Sequence, residues 1–173
     1  MKKSNFILYL FLCSYCLGTG AAYQYGANAK EVSLSGAMVA VYNKGFNTFT
    51  NPSFLSHIQE PEWGFSYFIM SLDRSIQTMS YSRPVPPEGA ISLSFLRVGV
   101  DDIKLTDFNN NPLGTYNHWQ GYGKMSFAVK LGKASLGTNL KLFINELKKQ
   151  NLEDYPAKGL GLDIGFNYKA GNQ

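Results

Sequence analysis

From residue 63 to residue 170 apolar and polar side chains alternate with a period of two, the signature of strands with one greasy face and one wet face. The pattern is clearest in the last three segments. Met125, Phe127, Val129 and Leu131 oppose Lys124, Ser126, Ala128 and Lys130; Leu136, Leu140, Leu142 and Ile144 oppose Gly137, Asn139 and Lys141; and Leu160, Leu162, Ile164, Phe166 and Tyr168 oppose Gly161, Asp163, Gly165, Asn167 and Lys169. Upstream, WGFSYFIMS and RSIQTMSYSR are separated only by LD, and EGAISLSFLRVGV follows the breaker PVPP, which brings the expected number of strands to about six. In the third of these the parity shifts near Leu96 and Arg97, which predicts a bulge there or an end of the membrane-facing part.

Two architectures accept such strands: a soluble sandwich with the apolar faces inward, or a membrane barrel with them outward. Strands of roughly 9 to 11 residues match a tilted bilayer crossing, whereas globular strands average nearer five or six. Lys124, Lys130, Lys141 and Lys169 all fall on the polar parity. A lysine on a lipid face near the midplane costs about 2–4 kcal/mol, so that parity must face a lumen or water. Connections after the second and fourth strands are short, while DDIKLTDFNNNPLGTYNHW and KKQNLEDYPAK are long and polar, as in barrels with periplasmic turns and extracellular loops.

The N-terminal part is organised otherwise. Residues 23–60 carry no long alternation; VSLSGAMVAVYN suits a short helix or irregular plug, and Asn51-Pro52 marks a turn. Ahead of them, Lys2 and Lys3 precede the apolar run 6–12 and a small-residue tail at 18–22, the layout of a secretory signal ending near Ala21 or Ala22. Both cysteines, Cys13 and Cys16, lie inside that signal, so a mature chain has neither a disulfide framework nor thiolate ligands. Removing Lys2 and Lys3 leaves 14 basic against 12 acidic residues, which is no nucleic-acid footprint. An aromatic share of 14% fits strands meeting a membrane interface, with Trp63, Tyr67, Tyr116, Trp119, Tyr122, Tyr155 and Tyr168 near expected strand ends.

The stretches VGVDDIKLTDFNNNPLGTYN, GTNLKLF and GLGLDIGFNYK resemble the PorV/PorQ family of outer-membrane proteins, within the wider FadL-like group of fatty-acid-transporter barrels. SLSGAMVAVYNKGFNTFTNPSFL is similar to that family's N-terminal segment, in which a Gly-rich stretch leads to Asn-Pro-Ala; Asn51 and Pro52 match and Ser53 replaces the alanine. Asp163, Gly165 and Tyr168 look like the family's strand with Asp, Gly and a terminal Tyr. The resemblance implies an all-β fold: an antiparallel transmembrane barrel of about 14 strands when complete, with the N-terminal segment folded into the lumen as a hatch. It implies either a PorV-like part in type IX secretion, receiving secreted cargo proteins alongside other secretion-system subunits, or FadL-like passage of hydrophobic small molecules.

Residues 1–21 are therefore read as a signal peptide, 22–60 as a hatch, and 61–173 as the first part of an outer-membrane barrel. Six strands fall below the smallest usual single-chain barrel of about eight, so the chain is expected to be a portion of a longer one, forming an open curved sheet. The hatch motif candidates are Asn51, Pro52 and Ser53, and the lumen-facing candidates are Asn139, Lys141, Asp163 and Asn167. Lipid is expected at Leu140, Leu142, Leu162 and Ile164.

Residues suited to chemistry are sparse. His57 and His118 lack a neighbouring acid and nucleophile pattern. Asp101, Asp102 and Asp107 lack the ligand alternation of a calcium loop and read as solvated acids, as do Glu60 and Glu62 at the rim of the first strand. Lys148 and Lys149 read as a solvating loop. No catalytic residue, metal or cofactor is expected.

Overall fold

The computed structural model describes residues 25–149 and 156–170, with side chains of 147–149 left out. The expected signal peptide, both cysteines and Tyr155 lie outside these residues. Six strands form one antiparallel sheet in chain order: β1 (Glu62–Met70), β2 (Arg74–Val85), β3 (Gly89–Thr106), β4 (Pro112–Leu131), β5 (Ala134–Lys149) and β6 (Ala157–Tyr168). All neighbours pair through hairpins, and β1 and β6 form the two edges of an open sheet. The described strands thus make one layer, not the two of a sandwich.

Hairpin geometry sets the register. Leu72 and Asp73 (φ 63° and 52°) turn β1 into β2 with the left-handed backbone that matches strand twist, and Gly132 (φ 63°) opens the turn into β5. The register runs unbroken through Leu96 and Arg97, so no bulge lies there; of the two register shifts, both further along β3, one falls between Leu105 and Thr106 and the other between Val100 and Ile103. There Asp102 takes φ 54°, a conformation short polar side chains tolerate, and its amide donates to Asn117 Oδ1 at 3.0 Å. What changes at Leu96 is the covering: the same face passes from serines to apolar residues because aromatic side chains of the N-terminal segment pack on it.

The first long polar connection also proves to be largely strand. β3 continues to Thr106 and β4 begins at Pro112, leaving a connection centred on Asp107, whose carboxylate accepts the amides of Asn109 and Asn111 at 2.8 Å each. Those hydrogen bonds, with that of the Asn111 amide first, hold the partly exposed Asp107 carboxyl below its ordinary value. Lys148 and Lys149, read as loop, lie in β5 opposite Asn117 and Tyr116.

Residues 25–58 pack across one face of this sheet. They form two short helices, α1 (Ala29–Ser33) and α2 (Asn47–Thr50), and a 3-10 helix (Pro52–His57) that touches β3, β4, β5 and β6. Asn28 caps α1 by accepting the Glu31 amide, and Asn51 caps the 3-10 helix by accepting that of Ser53 with Pro52 in the first turn. Among the described residues no helix is long and apolar enough to cross a membrane.

Candidate functional site: a covered polar face behind a bare apolar one

Cross-strand partners align into rows that run the width of the sheet. One row reads Glu62, Ser82, Ser92, Ser126, Asn139, Asp163; the next on the same face reads Gly64, Ser80, Ser94, Lys124, Lys141, Gly161. These polar rows lie beneath the N-terminal segment, and Ser80, Ser94, Lys124 and Asn139 are each no more than 2% exposed. Between them, on the opposite face, runs Trp63, Tyr81, Leu93, Met125, Leu140, Leu162. Here Trp63, Leu93, Met125 and Leu162 are 63–68% exposed. Burial is inverted relative to a water-soluble sheet, which covers its apolar face.

The segment seats on the polar face through buried hydrogen bonds. Lys124 Nζ and Asn139 Nδ2 both donate to the Thr48 carbonyl, at 2.5 and 3.0 Å, which gives a buried carbonyl in the last turn of α2 its partners. Lys124 Nζ also lies 3.6 Å from the Phe49 ring centroid, so a π face completes its surroundings. Asn139 donates on to Asp163 at 2.9 Å, and Asp163 pairs with Lys141 at 2.7 Å. Thr48 and Ser94 share a hydroxyl contact at 3.1 Å, and Ser80 donates to the Gly45 carbonyl.

Asn51, Pro52 and Ser53 come together where the sheet has no side chains. A Cβ on Gly165 would run into Asn51 Oδ1 and the Pro52 ring, and one on Gly137 would lie 2.5 Å from the Pro52 carbonyl oxygen and from Ser53 N. The row Ala90, Ala128, Gly137, Gly165 is therefore a shallow seat for the 3-10 helix. Asn51 Nδ2 donates to Val39 O at 3.0 Å and to Phe166 O at 3.3 Å on β6, while its Oδ1 accepts from Ser53 Oγ at 2.7 Å.

Of the candidates on the strands, Asn139, Lys141 and Asp163 meet in one network; Asn167 lies further along β6, opposite Ser135 and partly exposed. Lys124 stands at the centre of the site, although its sequence position marks it only as one of several lysines on the polar parity. Glu62, read as solvated rim, is 7% exposed and accepts from Tyr42 Oη and from Gly45 N at 2.8 Å. Burial and that carboxylate push the Tyr42 hydroxyl up to about 12. Tyr122, expected at a strand end, lies 7% exposed in an apolar cluster with Ile76, Leu96 and Val98, against Phe49 and Phe143.

The histidines stay apart from one another. His57 stacks obliquely on Phe54 with 5.7 Å between centroids, and burial, then the charge of Lys130, hold its pKa below 6.5. His118 Nε2 lies 2.9 Å from Asn145 Oδ1. Among the described residues no three His, Cys, Asp or Glu side chains gather as metal ligands.

On the bare face the apolar rows extend along β5 from Ala134 to Ile144, which is about 33 Å of strand at ~3.3 Å per residue. At a tilt of ~40° this becomes ~25 Å, the height of the apolar band on transmembrane barrels. The row at its far end reads Tyr67, Gln77, Arg97, Gly121, Ile144, Lys158, and the next includes Ser75, Trp119 and Glu146, with Trp119 Nε1 donating to Glu146 at 2.6 Å. Polar groups and an indole thus border the band. Comparison with protein-family models, with curated proteins and with solved structures found no match to this chain.

Proposed function

We propose that the sheet is one arc of an outer-membrane β-barrel whose lumen is plugged by residues 25–58, and that the protein acts in a PorV-like manner, meeting exported cargo at the cell surface. The observation that carries this reading is the inverted burial: serine, asparagine and lysine rows lie under the N-terminal segment while the leucine, phenylalanine and methionine rows stay bare. A bilayer is the solvent that such a bare face suits. Its partners are then outer-membrane lipid on one face, and cargo proteins with other secretion subunits at the loop end. The extended β3–β4 hairpin supports the surface role, since from Gly99 to Thr106 it runs ~23 Å past the apolar band as a paired ribbon.

A FadL-like channel for hydrophobic molecules is the second reading. It is favoured by the apolar patch of Ile76, Leu96, Val98 and Tyr122 above the Lys124 row. The hydrogen-bonded seat of the plug argues for the closed, surface-acting barrel.

The test is membrane fractionation of the full chain, followed by carbonate washing, with Leu162→Arg and Leu162→Met side by side. Recovery of the parent and the Met variant in the outer membrane, with loss of the Arg variant, is the expected result. A parent chain that washes off as a soluble species ends the membrane reading. Uptake of a fluorescent fatty acid by cells carrying the parent chain would favour the channel, and co-purification of exported cargo would favour the secretion role.

A further inference from the structure

We infer that the bare face carries a built site for one lipid with an anionic phosphate headgroup, held at its head by Arg97 and along its chain by a groove over β4; this rests on the membrane reading above.

Three features place it. The first is the bearing of Arg97. Its backbone stands on the bare face, yet its guanidinium folds over Gly99, where the carbon atom lies 3.4 Å from the position a Cβ would take, and reaches within 5.8 Å of the Trp119 ring. The side chain snorkels toward the hairpin end, and among the described residues it enters no ion pair. Trp119 sits one row further out with its indole N–H already given to Glu146, which leaves its ring to stack and the guanidinium to receive an anion.

The second is an absence of side chains on β4. Gly121 and Gly123 occupy two successive bare-face positions; Gly121 is closed in by the backbone of Leu96 and Arg97 and by the Trp119 ring, while a Cβ on Gly123 would meet nothing within 4 Å, so the groove is open at Gly123 and stops where Arg97 and Trp119 begin. Below them a depression of about 420 Å³ opens between Met125, Phe127, Leu93, Leu140 and Leu162, floored by Thr138. Thr138 is the small residue between Leu136 and Leu140 on β5, so the larger neighbours form walls around it.

The third is length. From the Phe127 row to the Gly121 row is six residues, or ~20 Å of strand, which a tilt of ~40° reduces to ~15 Å of depth. That is half of the ~30 Å hydrocarbon core, the reach of one leaflet's acyl chain. A chain lying over Gly123 with its end in the depression puts its phosphate at Arg97. Charge complementarity and depth both select a lipid with an anionic phosphate headgroup in the leaflet at the hairpin end over a second protein.

Native mass spectrometry of the full chain in detergent micelles tests the site, with phosphatidylglycerol and phosphatidylcholine as probes. The expected result is one retained phosphatidylglycerol, preferred over phosphatidylcholine about tenfold. Arg97→Gln should erase the preference and Arg97→Lys should restore most of it. Thr138→Trp, which fills the depression, should reduce retention of both lipids. Micelle insertion with no headgroup preference, or a preference that Arg97→Gln leaves intact, overturns the lipid site alone. A chain that stays outside the micelle overturns the membrane reading and this site with it.

Discussion

Replacing Gly137 by Val should unseat the N-terminal segment, while the same replacement at Gly123 should not. A Cβ on Gly137 would lie 2.5 Å from the Pro52 carbonyl oxygen and from Ser53 N, backbone atoms that cannot rotate away. Ordinary contact needs about 3.5 Å, so the 3-10 helix must lift by ~1 Å, with an overpacking cost of ~1–3 kcal/mol. The lift also stretches the bonds that cross to the sheet: Asn51 to Phe166 O, already 3.3 Å, and Lys124 and Asn139 to Thr48 O. At about 1 kcal/mol for each of these three bonds lost, the total with the overpacking reaches ~4–6 kcal/mol. The gain in strand propensity from Gly to Val offsets at most ~1 kcal/mol. Gly123 collects that gain without the clash, since its Cβ would stand in open space. The readout is trypsin cleavage after Lys44, an exposed side chain set among buried residues whose backbone needs local opening to be cut. A shift of ~3 kcal/mol in that opening should speed cleavage about 100-fold in the Gly137 variant and leave the Gly123 variant at the parent rate. Equal rates in the two variants would refute the close-packed seat.

Further outcomes concern single groups. Tyr42→Phe removes the hydrogen bond to buried Glu62 and should lower the unfolding midpoint; in the parent, stability is present below pH 10 and falls as pH rises toward about 12, because the folded hydroxyl holds its proton longer than the unfolded one. For His57 the sign is opposite. Its folded pKa lies below 6.5, so the unfolded chain binds the proton first and stability falls as pH drops beneath 6.5; His57→Gln should flatten that slope in acid titrations followed by circular dichroism. Asp107, held below 3.8 by its turn, stabilises the β3–β4 connection above that pH and releases it on acidification, which amide exchange at Asn109 and Asn111 will report; Asp107→Ala should show fast exchange at every pH.

The sheet was legible because its parity is strict. Lys124, Lys141 and Asp163 could be assigned to one face, and Leu140 and Leu162 to the other, from period two alone. Which face is covered was not in the pattern of any strand; it depends on residues 25–58, whose hydrogen bonds to the sheet reach positions as far as 76 and 115 away in sequence, as Thr48 does to Lys124 and Asn51 to Phe166. The same distance hides the rest. Leu96 reads as a slip in parity until Phe49 and Tyr25 are seen beside its cluster. Glu62 reads as solvated until Tyr42 and Gly45 close over it. The polar run after Val100 reads as loop because strand pairing beyond a core needs no apolar residues, only a partner strand. Asn51-Pro52 was visible as a motif, yet its seat is made by Gly137 and Gly165, which announce nothing by themselves.

The sheet grips its cover mostly by the main chain. Ser80 binds the Gly45 carbonyl, Glu62 the Gly45 amide, Lys124 and Asn139 the Thr48 carbonyl, and Gly137 abuts the backbone of Pro52 and Ser53. Such a mould records the path of a peptide and leaves the positions that face away from the sheet free to vary. Residues such as Lys44 and Thr50 can therefore be rewritten, or given labels and epitopes, without disturbing the fit. A foreign strand of the same trace, offered in trans, would compete for the berth whatever outward-facing side chains it carried.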